Sequence, residues 1–241
     1  MGKLIIVGTP IGNPDDISVR ALNYLKEAKH IVAENPDVFK TFINGLGLDK
    51  SDANIMYSKT WPEYIGEEPI VNDVLELLFN GEDVYVVCDG GMPGIADPGG
   101  LLIRECIKRN IPVVSTPGPS VIASAAVSTG CDNGFTFLGF LPKDQMIRLT
   151  SLKRFCSNPL PNLYLLINQK DYFIEAMDDL IKIWGDRNGA LCYNLTTSRE
   201  SIVYGKLSFL KEHWLNHFVD DNEAMLVIDS ISGNMVLPPK P

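Results

Sequence analysis

The chain has 241 residues, 45% of them hydrophobic and 21% charged, with 21 Lys and Arg against 30 Asp and Glu for a formal net charge of −9. That length supplies a core for one large domain or two small ones, and the balance excludes a stapled mini-protein, a disordered chain and a fibrous repeat. The negative charge opposes non-specific binding to polyanions, so a nucleic-acid contact requires a local basic patch.

Leu4 to Val7 reads as a buried strand closed by Gly8 and a Pro/Gly turn. Asp15 or Asp16 stands where a cap is needed for a helix whose apolar residues Ile17, Ala21, Leu22, Leu25 and Ala28 recur at helical spacing. A short apolar run, Ile31 to Ala33, follows; Val71 to Phe79 is a helix stopped at Gly81, and Val84 to Cys88 is the clearest strand. Asp97 as cap and Pro98 in the first helical position predict a helix to about Arg109. Pro112 to Ser115 is a strand, and Pro117-Gly118-Pro119-Ser120 opens a helix rich in Ala and Ser. This alternation predicts an α/β domain with a largely parallel sheet, whose ligands sit beyond the carboxyl ends of the strands.

The second half has a different rhythm. Strand patterns at Phe135 to Phe140, Leu163 to Ile167, Leu191 to Leu195, Ser201 to Tyr204 and Met225 to Asp229 are interrupted by helix patterns at Tyr172 to Trp184 and Phe209 to Phe218. Asn234 to Pro241 reads as a loose tail. The division falls into residues 1–116, an N-terminal α/β domain with two loops for a ligand, and 117–241, a C-terminal α/β domain. The charge divides too: 10 basic and 17 acidic residues up to Gly118, 11 and 13 after it. Five widely spaced cysteines with no C-x-x-C pair read as reduced and mostly buried. Met1 leads straight into a strand too short for a signal core, and no apolar stretch approaches ~18 residues, so a cytoplasmic protein is expected.

Three Gly/Pro turns follow strands: Gly8 to Asn13, Asp89 to Gly99, and Thr116 to Ser120. Glycine lets backbone groups approach a ligand closely, and helix N-termini offer free N–H groups. Any one such turn is an ordinary connection; three in one domain favour a binding cleft. No P-loop, G-x-G-x-x-G or G-x-S-x-G element is present, which leaves a small-molecule site made mainly of backbone, with Asp89, Asp97 and Ser120 as polar side chains. His213 and His217 share a helix face without the glutamate of H-E-x-x-H, so they read as incidental, with Trp214 and Phe218 packing that helix; no metal is expected. Lys143 to Arg154, where Lys143, Arg148, Lys153 and Arg154 face only Asp144, is either a solvated helix face or a nucleic-acid contact. Glu200 is a site residue or a turn carboxylate paired with Arg199.

Gly8-Thr9-Pro10-Ile11-Gly12-Asn13, with Asp16-Ile17 and Arg20-Ala21 after it, resembles the T-P-I-G-N-x-x-D-I-x-x-R-A opening of the ribosomal RNA small subunit methyltransferase I family. Asp89 to Gly99 resembles that family's S-D-A-G-T-P-x-I-x-D-P-G loop, Pro117-Gly118-Pro119 its P-G-P segment, and Gly139-Phe140-Leu141-Pro142 its G-F-L-P element, in order from residue 4 to about 230. The resemblance implies a two-domain tetrapyrrole methylase fold, an S-adenosylmethionine cleft between the domains, and a homodimer. By position it implies cofactor contacts at Pro10, Asp89, Gly91, Met92, Ile95, Asp97 and Ser120, with Leu195 and Ala224 near the adenosine and Ile167 as a further candidate.

Departures fall on the acceptor side. The family's A-E-D-T-R reads Ala33-Glu34-Asn35-Pro36-Asp37, its E-S-x-H-R reads Asn168-Gln169-Lys170-Asp171-Tyr172, and its E-L-T-K-x-x-E keeps Glu200 but loses the Lys. Arg148 matches one of two adjacent family arginines and Leu149 replaces the other, and the chain is expected to lack the small C-terminal helical domain that the family often has. The expected activity is therefore an S-adenosylmethionine-dependent methyltransferase, with 2′-O-methylation of a cytidine in small-subunit ribosomal RNA as its specific form. Glu34 is the candidate catalytic carboxylate, and Arg148, Lys153, Arg154 and Glu200 are candidate RNA contacts. The alternatives are a methyltransferase acting on a small molecule or peptide, and a non-catalytic S-adenosylmethionine-binding protein.

Overall fold

The structure, a computed structural model, describes residues 1–57, 70–132, 134–167, 169–217, 224–233 and 235, and falls into two units, Met1–Ser120 and Val121–Pro241. The first unit runs β1 (Leu4–Val7), α1 (Val19–Glu27), β2 (His30–Ala33), α2 (Pro36–Gly45), β3 (Asn54–Tyr57), α3 (Ile70–Phe79), β4 (Val84–Val87), α4 (Gly100–Lys108) and β5 (Val113–Thr116). Its five strands lie in the order β3-β2-β4-β1-β5, every pair parallel. β1 and β4 are buried along their whole length, as a parallel sheet covered on both faces requires. Alternation sorts their side chains: Leu4, Ile6, Val84 and Val86 pack with α3 and α4, and Ile5, Val7, Tyr85 and Val87 with α1 and α2.

Two local expectations are corrected. α1 is capped by Ser18, whose hydroxyl accepts from the Ala21 N–H at 3.1 Å; Asp15 and Asp16 lie in a short 3-10 turn capped by Asn13. α4 begins at Gly100, because Gly99 takes the N-cap position at φ 105, a left-handed backbone that leaves Asp97 and Pro98 in the preceding loop. Asn35-Pro36-Asp37, where the family motif is replaced, is the start of α2: the Asn35 side chain accepts from the Asp37 and Val38 N–H groups, and Pro36 fills the first turn. α2 and the edge strand β3 escaped the apolar pattern because α2 buries only Phe39 and Ile43, and β3 is exposed at both ends.

The second unit runs α5 (Val121–Ser128), β6 (Thr136–Phe140), α6 (Gln145–Phe155), β7 (Asn162–Leu166), α7 (Lys170–Trp184), β8 (Asn188–Tyr193), β9 (Ser201–Lys206), α8 (Leu207–Asn216) and β10 (Ala224–Ile228). Its sheet has the order β6-β7-β10-β8-β9, parallel at β6/β7 and antiparallel elsewhere. α6, α7 and α8 cover one face through Leu152, Phe173, Leu180, Leu210 and Trp214, the last stacked on Phe173 at 3.8 Å. Phe218, Asn168 and all of the tail except Met235 fall outside the described residues. The two units divide after Ser120, and within the first of them Gly118 packs directly on Gly8. All five cysteines are free, and Cys88, Cys106 and Cys192 are buried. Among the described residues no helix is long and apolar enough to cross a membrane.

Candidate functional site

The strand order fixes where a ligand can enter the first unit. The connection from β1 leads to α1 on one face of the sheet, and that from β4 leads to α4 on the other, so a crevice opens at the carboxyl ends of these adjacent strands. The loop after β1 and the loop after β4 meet there. Thr9 and Gly91 exchange backbone hydrogen bonds at 2.9 and 3.0 Å, and the buried Thr9 hydroxyl donates to the Cys88 carbonyl at 3.1 Å. From β5, the Thr116 hydroxyl donates to the Ile6 carbonyl at 2.9 Å and accepts from the Gly8 N–H at 3.2 Å. These hydroxyls tie three loops together. The sequence signal for them was a threonine flanking the turn glycines at a buried strand end, where an unpaired hydroxyl is costly.

Close approach replaces side chains at the loop bases. A Cβ on Gly118 would stand 2.7 Å from the Gly8 Cα, and one on Gly8 would stand 2.8 Å from the Gly118 Cα and 2.7 Å from the Met92 sulfur. Gly91, Gly94 and Gly99 have φ of 96, 84 and 105, and Ala96 has φ 61, so the β4 loop is coiled through left-handed backbone that displays its amides and carbonyls. Pro10, Met92, Asp97 and Ser120 are half-buried around it, Gly91 is buried, and Ile95 is exposed.

The electrostatics of this end are acidic. The Asp89 N–H donates to a Glu34 carboxylate oxygen at 3.0 Å, joining the ends of β2 and β4. Asp89 is exposed as a residue, but partial desolvation of its carboxyl holds it above its ordinary range, opposed by the Asn35 backbone N–H. Burial, and then the negative charges of Asp97 and Glu34, push the Cys88 thiol far up, so it stays a protonated core group. Three carboxylates therefore share the strand ends without a lysine or arginine among the loop residues. Among the described residues no group of three or more His, Cys, Asp or Glu is placed to hold a metal ion.

In the second unit, Ala224 opens β10 paired with Leu166 on one side and Tyr193 on the other, which brings Ala224, Ile167 and Leu195 to one end of that sheet. Leu195 and Ala224 are buried. Glu200 accepts from the Thr196 N–H at 2.7 Å, so the turn-carboxylate reading holds with a backbone partner in place of Arg199. His213 donates to or accepts from the Tyr193 hydroxyl at 2.9 Å and stacks on His217 at 4.2 Å; burial, and then His217, lower its pKa.

The basic segment separates into two classes of residue. Arg148, expected to contact RNA, is fully buried: its Nε donates to Asp179 at 2.9 Å and its Nη1 to the Pro142 and Lys143 carbonyls at 3.0 and 2.8 Å. It is a core ion pair and presents nothing to a ligand. Lys143, Lys153 and Arg154 are exposed, with Arg154 over the Phe155 ring at 5.3 Å.

Comparison with known proteins places these features in a family. Residues 3–211 match the model of the Tetrapyrrole (Corrin/Porphyrin) Methylases. The chain is 34% identical over 217 residues to the ribosomal RNA small subunit methyltransferase I of Thermotoga maritima, covering 89% of this chain and 92% of that one. It is 37% identical over 185 residues to the protein of that name from Mycoplasmopsis pulmonis (77% and 79%), and 30% over 238 residues to that from Halalkalibacterium halodurans (98% and 78%). Its fold is similar to that of diphthine synthase, with a TM-score of 0.68 at 16% identity, covering 95% of this chain and 90% of that one. The methyltransferase CobJ gives the same TM-score at 17% identity, with 95% of each chain covered.

Proposed function

The chain belongs to the tetrapyrrole (corrin/porphyrin) methylase family, and from this we propose that it moves a methyl group from S-adenosylmethionine to a cytidine 2′-hydroxyl of small-subunit ribosomal RNA. The observation that carries the reading is the match to proteins named ribosomal RNA small subunit methyltransferase I across 77–98% of the chain, through the elements of both units.

The donor-side residues fit such a cofactor. Its sulfonium and ammonium are cationic; the end of β2 offers Glu34, and the β4 loop offers Asp89 and Asp97 with glycines that leave room for backbone contact. Pro10, Asp89, Gly91, Met92, Ile95, Asp97 and Ser120 are proposed to hold it, with Leu195 and Ala224 against the adenosine and Ile167 beside them. When bound, S-adenosylmethionine supplies a methyl group already activated on sulfur, so the protein's contribution is alignment and a matched field. The Thr9 and Thr116 hydroxyls fix the loops, and the three carboxylates favour the cation. Glu34, the candidate catalytic carboxylate, is engaged by the Asp89 N–H and in this reading anchors the loop. Lys143, Lys153 and Arg154 are proposed to meet RNA phosphates, at cytoplasmic ribosomal subunits and with the chain as a homodimer.

The acidic first half favours a second reading, in which the same donor serves a small-molecule or peptide acceptor. Loss of catalysis has less support, since Asn35-Pro36-Asp37 forms a well-capped helix start. Calorimetric titration with S-adenosylmethionine tests the donor: micromolar binding is expected, and no binding contradicts both enzymatic readings.

A further inference from the structure

We propose that Glu200 is a positioning residue: its carboxylate clamps a strained turn so that Leu195 is presented to the adenosine of the cofactor. The inference rests on the methyltransferase reading and on Leu195 as an adenosine contact. The β8/β9 ladder closes with the pair Tyr193 and Ser201, leaving residues 194–200 as the connection. Two of these, on either side of Leu195, are left-handed: Asn194 at φ 51 and Thr196 at φ 66. Asparagine tolerates that conformation. A β-branched threonine does not adopt it without compensation, because its branched Cβ crowds the backbone.

Part of the compensation is local. Glu200 accepts from the Thr196 N–H at 2.7 Å, and the Glu200 N–H donates to the Thr197 carbonyl at 3.1 Å. The Thr197 hydroxyl donates to the Asn194 carbonyl at 2.7 Å and accepts from the Arg199 N–H at 3.1 Å. With the backbone so held, Leu195 turns inward and is 5% exposed, at the strand end it shares with Ala224 and Leu166, while Ser198, Arg199 and Glu200 stay exposed. Strain maintained by several bonds at the mouth of a sheet marks a backbone shape that ligand binding uses, and a solvent-exposed carboxylate is no part of the core. An RNA-phosphate role for Glu200 is disfavoured on the same grounds: the charge has the wrong sign and one oxygen is committed to Thr196.

The test is calorimetric affinity for S-adenosylmethionine in the full chain, with thermal unfolding as the check on folding and the KM for RNA as the check on the acceptor. Glu200→Ala is expected to weaken cofactor binding about tenfold, the loss of one charge-assisted hydrogen bond, with the RNA KM unchanged. Glu200→Gln, which keeps an acceptor oxygen, should stay within about threefold of the parent. In a Thr196→Gly background, where a left-handed φ needs no clamp, Glu200→Ala should cost less than about threefold; this pair keeps the test open if Glu200→Ala alone folds poorly. Parental affinity in Glu200→Ala, an equal loss in the Thr196→Gly background, or a change confined to the RNA KM would each overturn the inference. Failure of the unsubstituted protein to bind S-adenosylmethionine would instead overturn the methyltransferase reading beneath it.

Discussion

Arg148 shows how far a residue's sequence context can mislead. In the chain it belongs to a cationic run with Lys153 and Arg154, yet it is the one member whose guanidinium is buried, against an Asp179 only 6% exposed. Arg148→Ala should therefore cost about 3–5 kcal/mol in urea denaturation, because it strands a buried carboxylate. The pair Lys153→Ala and Arg154→Ala should leave stability within about 0.5 kcal/mol and lower the salt dependence of RNA binding by about one unit per lost phosphate contact. Unchanged RNA affinity in that double variant removes α6 from the acceptor surface. Glu34 is tested by chemistry: as a loop anchor, Glu34→Gln should keep kcat within about threefold, whereas loss of a general base would cost ~10²–10⁴-fold. Asp89 carries a pH signature. Its folded pKa lies above the ~3.9 of the unfolded chain, so its contribution to stability is complete below about pH 4 and is lost as pH rises through the folded value. The urea midpoint of Asp89→Asn should accordingly gain on that of the parent as pH rises above about 4; a pH-independent difference contradicts the assignment. Neither the Arg148 burial nor the Thr9 and Thr116 stitches were legible residue by residue, because each depends on partners 31, 79 and up to 110 positions away in sequence.

At the scale of elements, strands were readable where burial was continuous and helices where the apolar stripe was wide. β1 and β4 came out within one residue because all four positions of each are buried. α2 and β3 did not, since an edge strand and a helix with two buried residues leave little periodic signal. The start of α4 was misplaced for another reason: Asp97-Pro98 is a good capping sequence, but the β4 loop needs Gly99 in a left-handed turn first, and loop geometry overrides a local preference. The turns themselves carry the strongest element-scale prediction. Gly118→Ala would drive a Cβ to 2.7 Å from the Gly8 Cα, a backbone atom that cannot swing away. It should cost about 1–3 kcal/mol and, by displacing the β1 loop by a fraction of an ångström, up to ~10²-fold in methyl transfer. Gly45→Ala, at the end of α2 with open space around it, is the control and should be neutral or mildly stabilising in the same melts. Equal effects of the two substitutions would mean that the glycine contact at the strand ends has no role in holding the site.

For the whole molecule, a change of rhythm after the third Gly/Pro turn was legible, and so were the Gly/Pro loops as motifs, but not the antiparallel pairing of the second sheet, which short strand patterns do not specify. The acceptor side was not, because recognition of a large substrate depends on which charged side chains reach the surface, and one of the basic candidates is buried. Three of the first unit's acidic groups, Glu34, Asp89 and Asp97, lie at the strand ends, and the exposed Lys143, Lys153 and Arg154 lie in the less acidic second unit. The most direct measurement is methyl transfer from isotopically labelled S-adenosylmethionine to small ribosomal subunits, followed by digestion and mass spectrometry of the nucleosides. The account predicts label in 2′-O-methylcytidine. Label in a methylated base, or none in RNA while the protein binds S-adenosylmethionine and labels another acceptor, would contradict it.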